Sequence, residues 1–248
     1  MGSRSQKQWQ PKQHRLVAKP VARKSATNSI QSALSAAASD LSSLQLGQSE
    51  WDIQLRQRAL AAAQDGNYEE AIALFSQLLK RNPDSAHDYN NRGLAYFQSG
   101  QLEQAIADYD RALDLNPCLD SVYNNRANYY ASQGRFLDAI LDYDLAIELN
   151  PGNVRAWINQ GITFRDVQMY EQAIECFELA LCFNQLEGHV YAERGRTYHL
   201  WGDWNYALAD YDRALSHLTM NEVTSLSSTR LRSQIKRWQN ELLQNSGL

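Results

Sequence analysis

The chain has 248 residues, 44% hydrophobic and 21% charged, with a formal net charge of -4, a balance that fits a globular chain with a core of its own. No apolar run approaches the roughly 18 residues that mark a membrane span, so an integral membrane protein is excluded. The three cysteines, Cys118, Cys176 and Cys182, are an odd number with no CxxC pair; they are read as small buried side chains in a reducing compartment, which predicts a cytoplasmic protein, with an organelle stroma or a membrane periphery as the alternative.

Residues 1–50 read as a basic arm. Residues 1–39 hold Arg4, Lys7, Lys12, Arg15, Lys19, Arg23 and Lys24 and no acid, and the Gln/Ser/Ala-rich composition cannot bury enough apolar surface to fold alone. A disordered tail, an organelle targeting segment, and a tether in which residues 1–24 engage nucleic acid or an anionic membrane all fit that composition. Ile30, Leu34, Ala37, Leu41 and Leu44 fall at helical spacing, so residues 28–46 are a candidate helix.

From residue 52 the chain repeats itself every 34 residues, in the frames 52–85, 86–119, 120–153, 154–187 and 188–221. In the last four frames, Tyr89, Tyr123, Trp157 and Tyr191 share the fourth position, and Gly93, Ala127, Gly161 and Gly195 the eighth. The eleventh holds Tyr96, Tyr130, Phe164 and Tyr198; the twentieth, Ala105, Ala139, Ala173 and Ala207. Tyr109, Tyr143, Phe177 and Tyr211 share the twenty-fourth, and Ala112, Ala146, Ala180 and Ala214 the twenty-seventh. The first frame is a weaker copy. Apolar residues three and four apart predict two amphipathic helices, A and B, per frame. Gly66, Gly100, Gly134 and Gly202 stand where helix A must end and turn. Asn-Pro at 82–83, 116–117 and 150–151 stops helix B, because proline disfavours helical geometry in the residue before it. After the last frame, Leu231, Ile235, Trp238 and Leu242 recur at helical spacing, so residues 222–248 are read as a capping helix over the open end of the stack.

This pattern resembles the tetratricopeptide repeat, a helix-turn-helix unit of the same length. The resemblance implies an all-α fold: a right-handed superhelical α-solenoid of five hairpins with a C-terminal cap. It covers about two thirds of the chain and departs from the pattern at Gln168 and Gln185, where turn Gly and Pro are expected, and at Thr219, where Pro is. The runs YNNRGLAYFQSGQLEQAIADYDRALDLNP and YNNRANYYASQGRFLDAILDYDLAIELNP look like those of cyanobacterial and plastid members, some of which assist assembly of photosynthetic complexes.

Chemistry is sparse. The repeats hold thirteen basic and twenty-four acidic residues. The pairs Asp108/Asp110, Asp142/Asp144 and Asp210/Asp212 recur with the register and are read as a solvated outer surface rather than an acid-base dyad. No HxxxH, GxSxG or phosphate-loop motif is present. A non-catalytic protein is therefore expected, with no cofactor, no metal and no small-molecule substrate.

The resemblance implies a binding groove on helix A, lined by positions 2, 5, 6, 9, 12 and 13. Position 6 holds Gln57, Asn91, Asn125, Asn159 and Glu193, and position 5 holds Asn90 and Asn124; Asn128 stands at position 9. A run of Asn at position 6 resembles the asparagine ladder by which some members hold an extended peptide, since a carboxamide both donates and accepts. Satisfaction of neighbouring helix groups is the competing account. Arg155, Arg165, His189, Arg196 and His199 are expected to cluster toward the C-terminal half of the groove and read a carboxylate, against internal pairing with Asp166 and Glu193. A carboxylate clamp of the heat-shock chaperone type fits poorly: Arg56 and Asn91 match it, but Leu60, Ser121 and Asn125 do not. Together these residues predict an interaction scaffold or adaptor, with an assembly factor as its specialisation. The alternative is a nucleic-acid or anionic-membrane tether working through the basic arm.

Overall fold

The computed structural model describes residues 50–220 and 226–246. Among the described residues every regular element is helical: α1 (Glu50–Gln64), α2 (Tyr68–Arg81), α3 (Ala86–Gln98), α4 (Leu102–Leu115), α5 (Asp120–Ser132), α6 (Phe136–Leu149), α7 (Val154–Asp166), α8 (Tyr170–Leu181), α9 (Glu187–Trp201), α10 (Trp204–Met220) and α11 (Leu226–Ser246). Almost all of the basic arm, the candidate helix over 28–46 and the tether at residues 1–24 lie outside the described residues. No described helix is long and apolar enough to cross a membrane.

Odd-numbered helices α1 to α9 are the A helices and even-numbered α2 to α10 the B helices. Each A helix turns into its B helix through a residue in the left-handed region: Gly66, Gly100, Gly134 and Gly202 have φ of 80°, 81°, 72° and 93°. Glycine adopts this conformation without the steric cost that a Cβ brings. Gln168 fills the same place in the fourth hairpin at φ 64°, so the turn forms there against its residue's preference. At the other end, Asn82, Asn116 and Asn150 cap α2, α4 and α6 in non-helical conformations ahead of their prolines.

Small residues and aromatics at fixed positions build the core. Ala105, Ala139, Ala173 and Ala207 are fully buried, with Tyr109, Tyr143, Phe177 and Tyr211 beside them. At Gly161 a Cβ would stand 2.8 Å from the Phe177 ring, which shows how closely A and B approach. Each B helix then packs on the next A helix, and α3, α5, α7 and α9 also touch one another in sequence. Contacts between successive A helices place that layer on the inside of the curve.

Arginine at position 7 clamps aspartate at position 23 in three hairpins. Arg92 Nε and Nη2 donate to Asp108 at 2.7 and 2.8 Å. Arg126 does the same to Asp142 at 2.7 and 2.9 Å, and Arg194 to Asp210 at 2.7 and 3.0 Å. The same guanidinium lies over the aromatic at position 4, as with Arg126 and Tyr123 at 5.6 Å. Asp108, Asp142 and Asp210 are buried, which corrects the expectation of a solvated outer surface: only Asp110, Asp144 and Asp212 of those pairs face water. A carboxylate enters the interior here because two charge-assisted hydrogen bonds replace its hydration. Of the cysteines only Cys176 is buried, its thiol pushed up to about 12 mainly by desolvation. Cys118 and Cys182 are exposed, because they stand at the inter-hairpin turns and not on the packed faces.

Helix α11 closes the stack. Leu231, Ile235, Trp238 and Leu242 form one buried cluster with Ala192, Ala207, Tyr211 and Ala214, and Trp238 stacks on Tyr211 at 5.9 Å. Its apolar stripe covers the face that a sixth hairpin would otherwise occupy.

Candidate functional site

The inner face of the A helices carries the polar residues singled out in the sequence, and the structure sorts them into three groups. The first is a carboxamide relay that crosses three helices. Asn159 Nδ2 on α7 donates to Asn124 Oδ1 on α5 at 3.1 Å, Asn124 Nδ2 to Asn125 Oδ1 at 3.2 Å, and Asn125 Nδ2 to Asn90 Oδ1 on α3 at 3.0 Å. Asn90 and Asn124, at position 5, are buried, whereas Asn125 and Asn159, at position 6, are half-buried. Each position-6 amide therefore spends one N–H inside the relay and keeps its second, together with open carbonyl capacity, at the surface. Asn128 stands apart, its Oδ1 accepting from Tyr143 Oη at 2.7 Å.

The second group is internally paired. Arg165 Nη1 donates to Glu193 Oε2 at 2.6 Å, with Asp166 at 3.6 Å. Arg196 lies over the Trp238 ring at 5.2 Å, 3.3 Å from His199 Nδ1 and 3.4 Å from Glu241 Oε2; His199 Nδ1 is 3.2 Å from Tyr211 Oη. Arg196 and His199 thus sit at the junction with α11. Burial pulls the His199 imidazole below its ordinary pKa, helped by Arg196 and opposed by Glu241. Burial does the same to His189, with Glu193 opposing it and Arg155 reinforcing it. Both rings are neutral near pH 7.

The third group is a hollow in the N-terminal half of the inner face, of about 410 Å³. Leu60, Ala63, Phe75, Leu94 and Ala95 supply its apolar walls, with Gln64, Tyr68, Asn91, Gln98 and Arg155 completing the lining. Arg155 opens α7, so the curve of the stack brings it across from α1 and α3. The sequence groups it with the C-terminal cluster; it lies close enough to His189 to act on that ring electrostatically, and it also lines this hollow. Its guanidinium makes no ion pair with any described residue, in contrast to Arg56, which is held by Asp88 through two 2.7 Å hydrogen bonds. The Asn91 amide makes no hydrogen bond among the described residues either. The pairing of Arg56 removes one of the two residues that matched a carboxylate clamp.

Leucine at position 9 makes this hollow apolar, and it leaves a mark beneath. Tyr143 Oη bonds to Asn128 at position 9 of its own hairpin. Tyr109 is the same residue one hairpin earlier, where position 9 is Leu94. Tyr109 Oη is buried with no hydrogen-bond partner. Reading the sequence for charged and amide side chains missed Leu60 and Leu94; the signal was their apolar character at a position that carries Asn128 and Arg196 in other repeats. The Arg–Asp clamp was missed too, although Arg and Asp sixteen apart recur with the 34-residue register. Among the described residues no group of three His, Cys, Asp or Glu side chains could hold a metal ion.

Comparison with known proteins places this geometry. Residues 56–117, 121–153 and 154–181 match family models described as Tetratricopeptide repeat. Among solved structures, a thermophilic TPR protein of Thermus thermophilus superposes with a TM-score of 0.65 at 17% identity, over 75% of this chain and 98% of that one. MamA from Desulfovibrio magneticus RS-1 gives 0.57 at 15% identity, over 70% and 98%. A further MamA structure gives 0.54 at 20% identity, over 64% and 92%. At these identities the likeness is one of fold. No curated protein matches the chain.

Proposed function

Because the chain is a tetratricopeptide repeat protein, a helical protein-interaction scaffold, we propose that it is a non-catalytic adaptor that holds a partner's peptide segment along the inner face of its A helices. In this reading residues 52–221 are the recognition scaffold and residues 222–248 its cap. The observation that carries it is the hollow at Leu60, Leu94, Asn91 and Arg155. Apolar walls, an amide with open hydrogen-bonding capacity and a guanidinium without a carboxylate partner converge there. That combination suits an apolar side chain seated beside a carboxylate, with Asn91 on the intervening backbone. The surface amides of Asn125 and Asn159 continue the donor and acceptor track away from the hollow. A cytoplasmic or stromal setting and a role in complex assembly are consistent with this reading.

The test is a peptide array probed with the labelled full chain, its hits measured again by fluorescence polarisation. Selected peptides should pair an apolar residue with an acidic one. Arg155→Gln and Leu94→Asn should each weaken them about tenfold, the loss of one charge-assisted hydrogen bond or one buried leucine. Hits that bind both variants as tightly as the parent would refute the site.

A further inference from the structure

On the opposite face, helix α6 carries an apolar stripe that no described residue covers. Leu137, Leu141, Leu145 and Leu149 follow at four-residue steps and are 80%, 62%, 40% and 41% exposed, so they form one ridge along the outer side of the helix. The other hairpins supply an internal comparison, because the same scaffold position recurs in each. Where α6 has Leu137, the other B helices have Glu69, Glu103, Glu171 and Asn205. Where it has Leu141, they have Ala73, Ala107, Glu175 and Ala209; where it has Leu145, they have Gln77, Arg111, Leu179 and Arg213. The fold does not require leucine at these positions, since four hairpins form without the set. A ridge of exposed leucines is costly in water and marks a surface that is covered in use.

The charges around the ridge say what covers it. Phe136–Leu149 contains Asp138, Asp142, Asp144 and Glu148 and no Lys or Arg. Asp142 is buried under Arg126 and Asp138 is paired with Arg135 just before the helix, but Asp144, which accepts one hydrogen bond from Gln160, and Glu148 are exposed beside the leucines. A second copy of this face would bring like charges together. We propose that the outer face of α6 docks an amphipathic helix of a partner protein whose apolar stripe is flanked by Lys or Arg. Its leucine-type side chains interleave with Leu137, Leu141 and Leu145, and its basic flanks meet Asp144 and Glu148. The chain would then hold two partners at once, one in the groove and one on its back.

The probe is a synthetic amphipathic Leu/Lys helix, with a Leu/Glu helix of the same pattern as control, titrated against the labelled full chain at physiological salt. The Leu/Lys helix should bind and the Leu/Glu helix should not. The triple change Leu137→Gln, Leu141→Gln and Leu145→Gln leaves net charge unaltered and should weaken binding by about tenfold or more. Asp144→Asn with Glu148→Gln should weaken it several-fold and flatten its salt dependence. Because the leucines are exposed, the glutamine variant should melt like the parent; Asp144→Asn retains an oxygen that can still accept from Gln160 Nε2, which donates to Asp144 at 2.6 Å. Four results would each overturn the proposal: undiminished binding by the glutamine variant, equal binding of the Leu/Glu helix, loss of binding on Leu94→Asn, which would put the probe in the groove, or a parent dimer that the glutamine variant dissolves, which would make the occupant a second copy.

Discussion

Tyr109→Phe and Tyr143→Phe remove the same atom from the same position of neighbouring hairpins, and the structure predicts opposite signs. Both rings are buried, at 0% and 1% exposure. Tyr143 Oη donates to Asn128 at 2.7 Å, so its loss removes a hydrogen bond and leaves an acceptor behind, a destabilisation of about 1 kcal/mol. Tyr109 Oη has no partner; removing it relieves the desolvation penalty of a buried hydroxyl, a stabilisation of about 1 kcal/mol. In a helical unit of this size that corresponds to melting shifts of roughly 2–4 °C, down for Tyr143→Phe and up for Tyr109→Phe. Paired thermal melts followed by far-UV circular dichroism read both. Leu94→Asn adds a third point: it places at position 9 the carboxamide that Asn128 supplies one hairpin on, so Tyr109→Phe should no longer stabilise in that background. A Tyr109→Phe variant that melts below the parent by as much as Tyr143→Phe does would refute the account of the hollow as an apolar site that leaves a hydroxyl unpaired.

Gln168→Gly should stabilise by about 1 kcal/mol, since Gln168 holds φ 64° on an exposed turn where four other hairpins use glycine; a lower melting temperature would show that the Gln168 side chain contributes something the turn geometry does not reveal. Trp238→Ala should cost about 3 kcal/mol or more, because it empties the middle of the cluster that closes the stack. Limited proteolysis should then cut near α11 first, and cleavage starting elsewhere would argue against its capping role. Acid should destabilise the fold through His189 and His199. Their folded pKa values lie below the ordinary one of about 6.5, so the unfolded chain binds more protons as pH falls through that value. The stability is fully present above it and is lost on acidification through the folded pKa values. The double variant His189→Gln with His199→Gln should show a flatter melting temperature between pH 7 and pH 5, and an unchanged slope would assign the acid sensitivity to other groups.

The hairpins, their turns and the cap were legible in the sequence because each depends on residues close in the chain. Helical spacing, glycine at the end of helix A and proline after helix B act within a few residues, and a register of 34 repeats them until chance is excluded. Even the Arg–Asp clamp was written there at a spacing of sixteen, since both residues belong to one hairpin. The site was legible only in its vocabulary. Asn90, Asn91, Asn124, Asn125 and Asn159 share a face by register, but nothing in their spacing says that four bond to one another while Asn91 keeps its amide open. Arg155, Arg165 and Arg196 look equivalent in the sequence. Their fates differ because Glu193 faces one, α11 covers another, and the curve of the stack carries the third across to Leu60 and Leu94. Position within a hairpin is a local property and was set by the sequence itself. Which charged and amide groups find partners across hairpins depends on how successive helices stack and turn, and that only the tertiary structure decided.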